Sequence, residues 1–260
     1  MSPTGPTRTM DGRVVLVTGA AAGVGRGVAE AFGAAGAVVG IGVRDPAKAV
    51  DVAAAVEAAG GTAVVLRCDV TDGAESAAAI EALVSQHGRL DALVHNAVSA
   101  RSSEPTDFEH AELALWEEHA SVTVRATYRL AALAFPHLEA TGGSLLLMTS
   151  PAGIDGSGPM PFYSAVKAAQ RGFVRALARE WGPRGVRVNA VAPLAMSPAL
   201  EHVRDTAPDR YARVEALVPL GWVGDPADDI GPPTVFLCSD AARYVTGQTL
   251  VVSGGRVTGL

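Results

Sequence analysis

The feature of this sequence that most constrains its fold is a regular alternation of two kinds of segment. Short apolar runs rich in β-branched residues are separated by longer alanine-rich stretches with helical spacing, which is typical of strand–helix–strand units on a parallel sheet. Because the runs are continuously apolar, we expect strands buried on both faces, in a doubly wound α/β fold. The predicted strands are 14–17, 38–42, 63–67, 92–95, 144–148, 186–191 and 249–252. The predicted helices are 24–35, 46–59, 73–87, 109–140, 162–181 and 227–238.

The length of 260 residues suits one domain. Residues 1–10 are rich in Pro, Thr, Ser and Gly, and we predict a flexible tail there, with residues 11–260 forming the domain. The segment 194–218 departs from the alternation. It is polar, contains prolines and follows a strand, so we expect a mobile flap over a ligand.

Charge and cysteine content argue against several classes of partner. The formal net charge of -6 makes nucleic acid or an anionic membrane surface a poor main partner. Cys68 and Cys238 lack the spacing of a zinc site, so no metal is expected and both thiols are predicted to be buried. No apolar run follows the charges of the N-terminus, so we expect neither a signal peptide nor a membrane anchor, and a cytoplasmic location.

A glycine-rich loop lies between the first predicted strand and the first predicted helix. It reads Thr-Gly-Ala-Ala-Ala-Gly-Val-Gly over residues 18–25. Glycines there allow a tight turn and close approach to a diphosphate, while the helix N-terminus offers free N–H groups. The alternative is a glycine-rich turn without a ligand. The predicted contacts are Gly19, Ala21, Gly23, Val24 and Gly25.

A serine, a tyrosine and a lysine form the second chemical signal. Tyr163 and Lys167 are four residues apart in a predicted helix, with Ser150 thirteen residues before the tyrosine. Residues four apart share a helix face, so we expect the ammonium to lower the pKa of the phenol and make it a general acid or base. Ser150 would hold the substrate oxygen. An isolated tyrosine and lysine at this spacing would more often be structural.

The TGxxxGxG spacing of the loop and the Ser, Tyr and Lys set together resemble the short-chain dehydrogenase/reductase family, over about residues 12–255. The resemblance implies a single Rossmann-like domain with a seven-stranded parallel sheet and helices on both faces. It further implies an NADP(H)- or NAD(H)-dependent ketoreductase or alcohol dehydrogenase that transfers a hydride, and commonly a homodimer or homotetramer. By the same resemblance, further cofactor contacts fall on Asp69, Val70, Asn96, Ala97, Pro193 and Ser197.

The choice between the two nicotinamide cofactors rests on the end of the second strand. The family's acidic position, which binds ribose hydroxyls, falls on Val43, and its NADP-type arginine falls on Arg44. A guanidinium could pair with a 2′-phosphate, so NADP(H) is favoured. The alternative is a solvated Arg44, with Asp45 partly opposing a phosphate, in which case NAD(H) remains possible.

Three positions depart from the family pattern. Val98 and Leu194 stand where the family has glycines, and Thr123 stands where a long helix usually carries a catalytic asparagine that helps hold a water near the lysine. Thr123 lacks the carbonyl of asparagine, so we expect a rearranged proton relay with catalysis retained. The expected lining of a pocket for a small, apolar substrate is Val98, Ala152, Met160, Leu194 and Met196.

Two other functions remain open from the sequence. The same site could perform non-redox chemistry as a cyclase, isomerase or dehydratase, which the three departures would favour. A nucleotide-sensing protein without catalysis is the other alternative, and the presence of Ser150, Tyr163 and Lys167 argues against it.

Overall fold

Seven parallel strands form one sheet in the order β3-β2-β1-β4-β5-β6-β7 in the computed structural model, which describes residues 9–258. The chain order reverses between β1 and β4, where the crevice of a doubly wound sheet lies. This architecture confirms the predicted fold class. The strands are β1 Val14–Thr18, β2 Val38–Val43, β3 Thr62–Arg67, β4 Ala92–His95, β5 Ser144–Met148, β6 Arg187–Pro193 and β7 Thr249–Val252.

Helices cover both faces of the sheet. Apolar side chains of α1, α2 and α10 pack on one face and those of α3, α5 and α7 on the other, giving two buried layers. The helices are α1 Gly23–Ala34, α2 Val50–Ala58, α3 Gly73–His87, α4 Leu113–His119, α5 Ala126–Thr141, α6 Ala152–Asp155, α7 Pro161–Trp181, α8 Pro198–Thr206, α9 Pro208–Glu215 and α10 Gly231–Cys238. None of the helices within residues 9–258 is long and apolar enough to cross a membrane.

We expect every strand to be buried on both faces, and this prediction is wrong for two strands. β3 and β7 are the outer strands of the sheet and have half-buried and exposed side chains, such as Val65 and Leu250. A strand at the edge has a neighbour on one side only, so adjacent helices cover it incompletely. The inner strands β1, β4 and β5 are fully buried, as predicted.

The long helix predicted over 109–140 is divided. Residues 108–110 form a 3-10 turn, α4 follows, and a π-helical segment, Ala120–Arg125, joins α4 to α5. A second π-helical segment, Pro226–Ile230, precedes α10. A π-helical segment inserts extra backbone into a helix and shifts the face that later residues present.

Two predicted irregular segments are more ordered than expected. The segment 194–218 contains α8 and α9. In the predicted tail, residues 1–8 lie outside the described residues, whereas Met10 is buried and its N–H donates to the carbonyl of Ala35. The packed part of the protein therefore begins before the boundary expected at residue 11. Cys68 and Cys238 are buried free thiols, as predicted.

Candidate active site

One cavity of about 910 Å³ opens at the carboxyl ends of the strands, beside the point where β1 and β4 diverge. It brings together every residue predicted from the sequence to contact the cofactor. These are Gly19, Ala21, Gly23, Val24, Gly25, Arg44, Asp69, Val70, Asn96, Ala97, Tyr163, Lys167, Pro193 and Ser197.

The glycine loop has the geometry of a diphosphate cradle. Gly19 and Gly23 adopt φ angles of 65° and 53°, a region that L side chains rarely occupy. A Cβ at Gly25 would lie 2.3 Å from the carbonyl oxygen of Gly19. Helix α1 begins at Gly23, within the loop, and its N-cap, Ala22, offers no side-chain hydrogen bond to the first turn. Its free N–H groups therefore fit an anionic diphosphate.

Asn96 connects β4 to this loop. Its amide nitrogen donates to the carbonyl oxygens of Thr18 at 3.2 Å and Gly19 at 3.0 Å. The Thr18 hydroxyl accepts hydrogen bonds from the backbone N–H groups of Asn96 and Ala97. Val98 follows with an exposed side chain on the cavity wall, so the valine narrows the cavity at this point.

The opposite end of the cavity carries two basic and two acidic side chains. Arg44 and Lys48 are exposed on its wall, and Lys48 was missed by sequence analysis although it lies four residues after Arg44. Asp45 accepts a hydrogen bond from the backbone N–H of Ala47. Burial opposes ionisation of Asp69, but hydrogen bonds from Thr71 and nearby arginines, including Arg44, hold the pKa of Asp69 below its ordinary value.

Helix α7 carries Tyr163 and Lys167 at the chemical end of the cavity. Lys167 is 1% exposed, and its Nζ donates to the carbonyl oxygen of Met148 at 2.5 Å and to Oε1 of Gln170 at 3.2 Å. The Lys167 nitrogen lies 5.7 Å from the centroid of the Tyr163 ring. Ser150 follows β5, and its hydroxyl accepts a hydrogen bond from the N–H of Ala152 at 3.2 Å.

The pKa of Tyr163 differs from the sequence-based expectation. Burial raises it above the ordinary value, a hydrogen bond with Ser150 opposes that rise, and the net direction is upward. Burial also lowers the pKa of Lys167 to about 7. The net shift is therefore upward and opposite to the expected lowering, because desolvation of the phenol is the largest contribution to its pKa. A raised pKa keeps the phenol protonated as an acid.

Thr123 lies within the π-helical segment and is buried. Its carbonyl oxygen accepts a hydrogen bond from the Thr127 hydroxyl at 2.7 Å. Thr123 is not part of the cavity wall, and neither is Ser150, although Ser150 contacts Tyr163.

The expected substrate lining is only partly brought together. Val98 and Leu194 line the cavity, whereas Ala152, Met160 and Met196 do not. Met160 instead borders a shallow notch on another side of Tyr163. Polar residues that sequence analysis missed take part of the wall, and no local motif marks them: Ser99, Ser102, Ser103 and Glu118.

The cavity at the edge of this sheet has a dinucleotide cradle at one end and a tyrosine and lysine at the other. This combination is typical of a nucleotide-dependent oxidoreductase. Comparison with known proteins agrees. A family model described as enoyl-(acyl carrier protein) reductase matches residues 19–256. The 12alpha-hydroxysteroid dehydrogenase of Clostridium sp. is 33% identical, with 94% of this chain and 96% of the relative covered.

Two further relatives point the same way. The 2,5-dichloro-2,5-cyclohexadiene-1,4-diol dehydrogenase LinX of Sphingobium indicum is 36% identical, with 96% of this chain and 98% of LinX covered. A solved 7 alpha-hydroxysteroid dehydrogenase in complex with NADH and 7-oxo glycochenodeoxycholic acid superposes with a TM-score of 0.88 at 33% identity, covering 98% of each chain. The chain belongs to the short-chain dehydrogenase/reductase family. It is an NAD(P)-dependent oxidoreductase that acts on CH–OH groups and the corresponding carbonyls.

Proposed function

We propose that the protein is an NADP(H)-dependent ketoreductase or alcohol dehydrogenase acting on a small molecule with a largely apolar body. One observation carries the proposal: a single cavity runs from the basic pair Arg44 and Lys48 to the pair Tyr163 and Lys167. A dinucleotide in this cavity would have its adenosine phosphate at the first end and its reactive ring at the second.

The nicotinamide, when bound, supplies or accepts the hydride. In the reductive direction Tyr163 donates its phenolic proton to the substrate oxygen, and in oxidation it removes that proton. Ser150 donates a hydrogen bond to the same oxygen and so holds it within reach of the phenol. The Lys167 ammonium stabilises the phenolate that remains after proton donation. Thr123 acts only through the backbone of the π-helical segment.

The preference for NADP(H) rests on Arg44. Within the described residues 9–258, the Arg44 guanidinium forms no ion pair or side-chain hydrogen bond, while its Asp45 neighbour is turned to its own backbone. A planar guanidinium can offer two parallel donors to a phosphate, and Lys48 adds a second positive charge. The 2′-phosphate of NADP(H) would satisfy both groups.

The substrate end combines Val98 and Leu194 with hydroxyl and carboxylate groups. Such a wall suits a secondary alcohol or ketone with an apolar body and at least one further hydrogen-bonding group. The substrates of two relatives, a hydroxysteroid and a cyclic diol, combine hydroxyl groups with an apolar body in this way. We also propose a cytoplasmic homodimer or homotetramer, which light scattering after gel filtration would test.

The test is the decay of NADPH and NADH absorbance with purified protein against ketones, aldehydes and quinones, beside the variant Tyr163→Phe. We expect substrate-dependent turnover that prefers NADPH and is lost in the variant, while NADPH binding measured by calorimetry persists. Turnover that survives Tyr163→Phe would refute the assigned acid. Tight NADPH binding without turnover on any substrate would favour the non-redox or sensing alternatives.

A further inference from the structure

A chain of hydrogen bonds runs from Lys167 into the buried interior, away from the cavity. The Lys167 ammonium donates to Oε1 of Gln170 at 3.2 Å, the Gln170 amide nitrogen donates to the Thr127 hydroxyl at 3.2 Å, and that hydroxyl donates to the carbonyl oxygen of Thr123 at 2.7 Å. Gln170 is 0% exposed, and the other three residues are 1% exposed. Gln170 and Thr127, which do not line the cavity, are therefore shielded from solvent that could replace these partners.

The donors and acceptors of this chain fit in one direction only. An ammonium can only donate, so the amide oxygen of Gln170 must face Lys167 and its nitrogen must face Thr127. The hydroxyl of Thr127 has one proton, which goes to the carbonyl of Thr123. The amide of Gln170 thus links α7 to the junction between the π-helical segment and α5.

Burying an amide at this position needs an explanation. An apolar side chain of similar size would fill the same space without the desolvation penalty of the amide and without the rotamer freedom that a glutamine loses. The polar atoms of Gln170 have two partners, Lys167 and Thr127, and Thr127 leads to the backbone of Thr123. The buried amide therefore orients the lysine side chain.

We infer that Gln170 is a positioning residue that fixes the Lys167 ammonium beneath Tyr163, with Thr127 anchoring its far end. The inference rests on the proposed roles of Tyr163 and Lys167. Met148 supplies a second anchor through its carbonyl oxygen. Two fixed acceptors leave the third N–H of the ammonium free on the side of Tyr163.

The charged surroundings of Lys167 are simple. Among residues 9–258, the titratable groups that face it are Tyr163 on its own helix and His95 at the end of β4. Burial is the main reason why the pKa of His95 falls to about 3, so the imidazole is neutral at working pH. Burial lowers the pKa of Lys167 itself to about 7. A change at residue 170 therefore acts on a lysine whose titration falls within an accessible pH range.

The sequence makes this titration directly observable, because Lys48 and Lys167 are the only lysines among its 260 residues. Protein labelled with 13C at the lysine ε-carbon gives one signal from exposed Lys48 and one from buried Lys167, and Lys48 serves as the internal reference. In Gln170→Leu the loss of an acceptor disfavours the ammonium, so the pKa of Lys167 falls by about one pH unit. In Gln170→Glu it rises, because a carboxylate then faces the ammonium.

Kinetics provide the second readout. We expect Gln170→Leu to lower kcat for carbonyl reduction about tenfold, the effect of losing one hydrogen bond to a charged group, with KM nearly unchanged. Gln170→Glu keeps the acceptor and should retain more of kcat. A purely structural glutamine would lower the melting temperature of Gln170→Leu and leave its lysine titration in place, which would overturn the inference.

A pair of matched variants separates positioning from stability. Thr127→Val removes the anchor of Gln170, whereas Thr234→Val removes an equivalent buried bond, from the Thr234 hydroxyl to the carbonyl of Ile230 at 2.7 Å, behind the second π-helical segment. We expect Thr127→Val to lower the pKa of Lys167 and kcat in the same direction as Gln170→Leu, and Thr234→Val to change neither. Equal effects of the two valine variants on Lys167 would contradict the inference.

The design also separates this inference from the proposed function. Turnover that survives Tyr163→Phe would refute the proposed function, while the NMR titration of Lys167 still decides whether Gln170 positions the lysine. If Gln170→Leu does not fold, Gln170→Glu and Thr127→Val carry the same test, and an unshifted Lys167 in both would overturn the inference.

Discussion

The side-chain amide of Asn96 lies 3.0 Å from the carbonyl oxygen of Gly19 and donates a hydrogen bond to it. This bond holds the end of β4 against the first turn of the glycine loop. The space between them is closed to side chains, since a Cβ added to Gly25 would lie 2.3 Å from the same carbonyl oxygen and 2.4 Å from the Asn96 amide nitrogen. The shape of the diphosphate cradle therefore depends on a glycine at residue 25.

Gly25→Ala should weaken NADPH binding. Relieving the overlap requires the loop backbone or the Asn96 amide to move, which we expect to cost about 1–3 kcal/mol and thus about 5- to 150-fold in Kd. Calorimetry with NADPH measures the effect. The control is Gly172→Ala, where the exposed helical glycine has no atom within 4 Å of the new Cβ. That control should bind normally and gain up to about 1 kcal/mol of stability. Unchanged binding by Gly25→Ala would show that the diphosphate lies elsewhere.

Arg44→Ala should reduce affinity for NADPH much more than for NADH. Losing a charge-assisted pair with the 2′-phosphate should cost about 1.5–3 kcal/mol, or about 10- to 150-fold in Kd, for NADPH alone. The measurement is the ratio of the two Kd values. Arg67→Ala is the matched control, because Arg67 is an exposed arginine at the end of the next strand that pairs with Glu75 and is not part of the cavity wall. An equal loss for both cofactors in Arg44→Ala would rule out a phosphate contact.

Ser150→Ala should lower kcat for reduction by about 100-fold, because a positioned hydrogen bond to the reacting oxygen is lost. Loss of the hydrogen bond that opposes the burial effect should also raise the pKa of Tyr163 further. Since reduction needs the protonated phenol, its activity declines as pH rises through that pKa, and the decline should move to higher pH in the variant. The pH profile of kcat tests this.

Ser164→Ala provides the comparison for Ser150→Ala. Ser164 lies next to Tyr163 on α7, but its hydroxyl only accepts a hydrogen bond from the backbone N–H of Ser157. Its removal should leave the pH profile in place. If both serine variants shift the profile alike, the assigned role of Ser150 is wrong.

Asp91→Asn should destabilise the fold by about 2 kcal/mol. Asp91 is buried, and its carboxylate accepts hydrogen bonds from Arg13, Arg89 and the N–H of Val14. Breaking a fully buried ion pair costs about 3–5 kcal/mol. The expected cost is smaller here because Arg13 and Arg89 are 29% and 40% exposed, so water can replace their partner. Urea unfolding near neutral pH measures the loss.

The Asp91 effect has a defined pH dependence. Burial opposes ionisation, but the hydrogen bonds from Arg89, Val14 and Arg13 outweigh it and hold the pKa of Asp91 below its ordinary value. A depressed folded pKa gives stability that is complete above the unfolded pKa of about 4 and lost as pH falls through the folded pKa. The gap between wild type and variant should therefore shrink in acid. Asp240→Asn, which removes an 86% exposed partner of Arg13, should cost less than about 1 kcal/mol.

The sequence predicts the inner sheet well because burial on both faces produces continuous apolar runs, and each such run is a local signal. The outer position of β3 and β7 depends on strand order, which local patterns do not contain. The π-helical segment 120–125 could not be predicted from the sequence either, because no residue type marks a shift in helical hydrogen bonding.

In the candidate site, too, features set by local sequence could be predicted and those set by contacts between distant elements could not. Glycine geometry and the four-residue spacing of Tyr163 and Lys167 are local, so both could be found from the sequence. Gln170 could have been noticed as a polar residue one helical turn after Lys167, but its partner Thr127 lies on another helix. Met160 is apolar and is therefore expected in the substrate pocket, yet it borders a different depression.

The ion pairs of Arg13 lie at the amino ends of the strands, opposite the edge that carries the cavity. In β1 the two edges are separated by five residues, about 16 Å, which is beyond the distance at which substitutions usually couple. Changes that retune substrate range at the carboxyl edge can therefore be offset by stabilising changes at the amino edge without altering the chemistry. In a parallel sheet, residues at the carboxyl edge can therefore change with the substrate while residues at the amino edge maintain the stability of the fold.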